Sequence, residues 1–147
     1  MYAKTTAALL AATGMAACTT ANGYGPGNGD GASGMSPGGD YRKVSELVAL
    51  PDFIPGMGTL YVQPDTLPAG PFLAYDRDGD HVSTIYMIPL DRMNEKAAWK
   101  GLSARGRSVR SVDLEYNPGH PGVEEPHYHV TLWHVPKTDA ELEEQDA

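Results

Sequence analysis

The chain is poor in cysteine, in basic residues and in long apolar runs, and each shortage removes a class of explanation. One cysteine among 147 residues, Cys18, excludes a disulfide within a single copy. It also excludes Cys-rich zinc knuckles, so any metal must be held by histidine and carboxylate. Eleven Lys and Arg stand against nineteen Asp and Glu, for a formal charge of −8 at pH 7. That balance lacks the positive footprint required by nucleic acid or an anionic lipid surface, so no nucleic-acid partner is expected. The apolar stretch 5–17 is too short to span a bilayer as a helix. There is no Ser-His-Asp elbow, no phosphate-binding glycine loop and no dinucleotide fingerprint. Composition and motifs therefore leave open whether the protein is an enzyme.

What the N-terminus does contain is an address. Residues 1–17 run from a start with one cation, Lys4, through a short alanine- and leucine-bearing stretch to Gly14-Met15-Ala16-Ala17. This is the layout of an exported signal peptide. Cys18 follows directly and resembles the acylated cysteine of a bacterial lipobox, with Met15 where leucine is usual. Residues 18–39 then read as a lipidated cysteine and a flexible tether: eight of the twenty-one residues from Thr19 to Gly39 are glycine. Such a coil has an end-to-end distance of roughly 25 Å. The expected location is the bacterial cell envelope, periplasmic or on the outer surface, with a lipid at Cys18 as the membrane partner. The tail 137–147 is acidic and reads as disordered.

Residues 40–136 are long enough for one domain with a single core. The expected class is α+β: a mainly antiparallel sheet of about five strands, or a small barrel, with one or two short helices. Residues 41–50 read as a short helix or a strand. Strands are expected over 58–63, 72–75, 81–89, 109–116 and 127–135 from their β-branched and aromatic content and alternation. Asp76-Arg-Asp-Gly79-Asp80 joins two of them as a hairpin turn. It lacks the sixth-position glycine and the twelfth-position glutamate of a calcium loop. Asp91 to Gly101 is the best helix candidate, with Asp91 as cap, Gly101 as stop, and Met93, Ala97 and Trp99 toward the sheet. Arg105, Arg107 and Arg110 read as a solvated loop.

Chemistry concentrates near the C-terminus. Four of the five histidines, His120, His127, His129 and His134, fall within fifteen residues that also hold Glu124 and Glu125. On a strand, His127 and His129 point to one face with Cβ atoms roughly 6.5–7 Å apart, close enough to share an ion. His120, in the Pro/Gly-rich loop before the strand, can fold back over the pair. The expected ligand set is His120, His127 and His129, completed by Glu125 or water, for zinc or copper. His134 has the opposite parity and belongs to a polar face or an interface. His81, beside the hairpin turn, is expected at the surface. If catalysis occurs, Glu124 is the acid–base candidate, acting through metal-bound water. Gly122, His127, His129 and His134 echo the spacing of a cupin motif, but no second motif follows.

The alternative is a non-enzymatic interaction or homo-oligomer-forming domain. In that reading the histidines are satisfied internally, and Tyr61, Tyr75, Tyr86, Tyr116, Tyr128 and Trp133 supply a contact face.

Four segments carry a family resemblance: Leu50 to Val62 (LPDFIPGMGTLYV), Gly70 to Asp76 (GPFLAYD), Tyr86 to Leu90 (YMIPL) and Tyr116 to His129 (YNPGHPGVEEPHYH). Together they resemble uncharacterised bacterial envelope proteins described in Thermus as products under an extracytoplasmic-function, sigma-E-type sigma factor. The resemblance covers roughly Asp40 to Pro136. It implies a compact β-rich envelope domain, oligomeric and linked to envelope stress, and assigns no ligand residues.

Overall fold

Alternating side chains dictate most of the architecture. The computed structural model describes residues 36–95 and 97–138. The expected signal peptide, Cys18, most of the tether and most of the acidic tail lie outside them. Six strands form one open antiparallel sheet: β1 (Arg42–Lys43), β2 (Thr59–Val62), β3 (Phe72–Tyr75), β4 (His81–Pro89), β5 (Ser111–Asn117) and β6 (His127–Trp133). Their spatial order is β1-β2-β3-β4-β6-β5, which leaves β1 and β5 as edges, so the sheet does not close into a barrel. Residues 41–50 hold both expected forms, β1 followed by a 3₁₀ turn at Val44–Glu46.

Residues opposite each other across a ladder share a face. One face carries Leu60, Val62, Phe72, Ala74, Ile85 and Met87. Val44 and the segment bearing Val48, Leu50, Ile54 and Met57 cover it and complete the main core. The pairing Met87↔His129 puts His127 and His129 on this same face. The opposite face carries Tyr61, Leu73, Thr84, Tyr86 and, on β6, Val130 and Leu132.

β4 is buried on both faces from His81 to Ile88, because residues 97–110 fold over the second face. Ser103 donates its N–H to Tyr86 Oη (2.7 Å) and accepts the tyrosine hydroxyl on its carbonyl (2.8 Å). Arg107 donates to the His81 carbonyl at 3.2 Å, and the Arg105 guanidinium lies 5.4 Å from the Tyr41 ring centroid. Two of the three arginines expected in a solvated loop therefore fasten that loop to the sheet.

The helix departs from expectation. It is α1, Leu90–Asn94, one turn in place of eleven residues. Met93 is 45% exposed, so the segment buries no apolar stripe against the sheet. Without that packing, helix propensity does not sustain a short helix. The Asp76–Asp80 turn forms as expected: Asp80 N–H bonds Asp76 Oδ1 at 2.7 Å, and Gly79 takes φ 86°. No helix among the described residues is long and apolar enough to cross a membrane.

Candidate metal centre

The hairpin connection between β5 and β6 brings His120 back over the strand. Asn117 Oδ1 accepts the Gly119 N–H at 2.8 Å and starts the bend. His120 and Val123 then exchange two backbone hydrogen bonds, 2.9 and 3.0 Å, around Pro121-Gly122. Proline followed by a glycine at φ 90° is the sequence of a type II turn. A Cβ on Gly122 would stand 2.7 Å from Val48 Cγ1, so glycine is also needed for the loop to close onto the core.

The turn sets the His120 ring 5.0 Å from that of His127 and 5.5 Å from that of His129, centroid to centroid. One coordinating nitrogen from each of the three lies within 4.8 Å of the other two. His127 Nε2 and His129 Nε2 are 3.0 Å apart. A tetrahedral zinc with bonds of about 2.0–2.1 Å needs nitrogens roughly 3.3 Å apart, so the pair must open by a few tenths of an ångström and His120 need move in by no more than about 1.5 Å.

Backbone carbonyls decide which nitrogens are free. His127 Nδ1 donates to the Glu125 carbonyl at 2.6 Å, which leaves its Nε2 as a lone pair. His120 Nδ1 donates to the Pro121 carbonyl at 3.1 Å with the same consequence. Two lone pairs thus converge on the cluster with their tautomers fixed from behind, the support that metal-ligating histidines usually have. His127 is fully buried and His129 is 8% exposed. Burial, then the neighbouring His127 and His120, push the His129 imidazole down to about 4, so it stays neutral and able to coordinate at neutral pH.

The expected ligands are not all brought together. His120, His127 and His129 converge; the exposed side chain of Glu125 is not part of the converging group, and Glu125 meets the site through its main-chain carbonyl. Glu124 is also exposed.

His134 points away from the trio, as its parity requires, but it is buried, and so is His81, which was expected at the surface. His134 Nδ1 donates to the Ser108 carbonyl at 2.9 Å, and its Nε2 accepts the Thr84 hydroxyl at 2.9 Å. His81 Nε2 donates to the Ser83 carbonyl at 2.9 Å, and its ring stacks on Tyr75. Trp133 is buried too, with its indole N–H on Asp113 Oδ2 at 2.8 Å, and Tyr61 and Tyr86 are core residues. Of the aromatic contact face expected from the sequence, Tyr116 is exposed, while Tyr75 and Tyr128 are half-buried.

Among solved structures, the hypothetical protein TTHB210 from Thermus thermophilus is similar to this chain. It shares 42% identity at a TM-score of 0.58, over 65% of this chain and 94% of the Thermus chain. The chain belongs to the TTHB210 family. No family model and no curated protein sequence matches it.

Proposed function

We propose that this member of the TTHB210 family is an envelope lipoprotein, anchored through Cys18, that binds one zinc or copper ion on His120, His127 and His129. The observation that carries the reading is the convergence of Nε2 lone pairs that the Glu125 and Pro121 carbonyls hold in place. Three protein ligands leave a fourth position for water or an exchangeable donor, the arrangement of a working site rather than a closed structural one. Neutral imidazole suits both ions, and copper(II) binds the more tightly at equal geometry. The sigma-factor resemblance adds an expected role in envelope stress. The direct test is elemental analysis of residues 19–147, purified without chelator, beside a His127→Ala/His129→Ala double variant. One zinc or copper per chain, lost in a variant that remains folded, supports the reading. A metal-free wild type that shows no thermal shift on adding either ion sinks it.

One observation favours a second reading, association of copies. On edge strand β5, Val112, Leu114 and Tyr116 share a face and are 57%, 60% and 55% exposed, a long apolar edge of the kind that proteins ordinarily cover. Sedimentation of the wild type against Leu114→Lys distinguishes an associating edge from a bare one.

A further inference from the structure

A cavity of about 210 Å³ lies against the three-histidine site. Its floor is core: Val44, Leu60, Phe72 and Met87, all buried. Among the described residues, Asn117, His120 and His129 bring the only polar side chains to its wall, and no lysine, arginine or carboxylate lines it. Leu67, Pro121 and Gly122 are lining residues that are also exposed, and they mark the side that meets solvent. His127 does not reach the cavity, so an ion held by the trio has His127 behind it and the cavity in front.

Size and polarity narrow the occupant. A dry apolar cavity of about 150 Å³ accepts benzene, so this one has room for a single ring or an equivalent short chain with one small substituent. The apolar floor admits no second polar group, since a buried polar atom without a partner is costly. A divalent ion on three neutral imidazoles keeps its full double charge and favours an anionic donor at its fourth position.

Resting on the metal reading, we infer that the cavity binds a small monocarboxylate of about benzoate size, carboxylate on the ion and apolar body among Val44, Leu60, Phe72 and Met87. The same lining makes the binding metal-dependent. Without the ion, no lysine or arginine among the described residues of the wall compensates a carboxylate, whereas a neutral ring of the same shape is indifferent to the metal.

The experiment is a calorimetric titration of benzoate, acetate and benzene into zinc-loaded and metal-free protein (residues 19–147), after zinc stoichiometry has been measured. Benzoate should bind the zinc form about 10- to 100-fold more tightly than acetate, the value of burying one ring. It should bind the metal-free form at least about tenfold more weakly. Benzene should bind both forms alike. Leu50→Trp, which adds bulk to the lining, should keep zinc and lose benzoate and benzene together. If zinc loads at one per chain but benzoate binds no better than acetate, the inference fails and the metal site stands. If zinc does not load, the metal reading fails first, and the carboxylate inference fails with it.

Discussion

Two histidine clusters sit on opposite faces of this sheet, built from the same residue type at similar burial, and they differ in where their lone pairs go. In the His81–His134 cluster the hydrogen bonds close on complementary groups. His81 donates to the Ser83 carbonyl, Thr84 donates to His134, and His134 donates to the Ser108 carbonyl. In the His120–His127–His129 cluster the carbonyls take the outer N–H groups, and the inner contact is His129 Nε2–H donating to His127 Nε2, a proton that a metal ion would displace. The first arrangement is a satisfied polar core, and the second is a ligand set. Proximity of imidazoles therefore says little until the tautomers are assigned, and main-chain carbonyls assign them.

The largest expected effect that would break this contrast is on metal affinity. His127→Ala should weaken zinc binding by more than about 100-fold, beyond the usual cost of disturbing a residue behind a ligand. His134→Ala should leave it unchanged, and competition with a chromophoric chelator measures both. Zinc at about 100 times its dissociation constant should stabilise the wild type by about 2.7 kcal/mol, roughly 10–20 °C in melting temperature for a domain this size. That shift should vanish in His127→Ala and persist in His134→Ala.

In metal-free protein acid should act through both clusters, since His129 is held down to about 4 as His81 is. Burial, then the nearby His134, Arg107 and Arg105, push His81 down to about 4 from an ordinary 6.5, and burial lowers His134 as well. Between those pH values the unfolded chain holds more protons than the folded one. Metal-free protein should therefore keep this contribution above pH 6.5 and lose it as pH falls toward 4, by up to about 3 kcal/mol. His81→Phe should remove the His81 share of that limb in urea unfolding followed across pH and leave the His129 share in place. A smaller effect is expected for Thr84→Val, which leaves His134 Nε2 without its donor. It should cost about 1–2 kcal/mol in urea unfolding and leave zinc affinity untouched. The smallest belongs to Glu125→Gln. Because Glu125 meets the site through its main chain, zinc affinity should stay within about twofold in the chelator assay.

Much of the sheet was legible because it obeys local rules. Strands β2 to β6 follow from alternation and turn residues, and the His127/His129 pairing follows from period two. The fold-back of His120 is written in Pro121-Gly122, whose turn geometry depends on the chain alone. β1, at two residues, is too short to leave a pattern. What was not legible depends on distant segments. Residues 91–101 have good helix formers, but helix length is decided by packing, and Met93 finds none. His81 looks like a turn-side histidine until residues 97–110 close over it. Glu125 beside a histidine cluster reads as a carboxylate ligand, because composition does not distinguish a residue's side chain from its carbonyl.

The central claim is that one cluster takes a metal and the other does not, and imidazole nitrogen-15 NMR tests it most directly. Metal-free protein labelled at histidine should show the Nε2 of His120 and His127 as bare nitrogens and that of His81 as protonated. One equivalent of zinc should shift the Nε2 resonances of His120, His127 and His129 together, leaving His81 and His134 in place. Zinc that moves His81 or His134 instead, or that moves none of the five, would contradict the account.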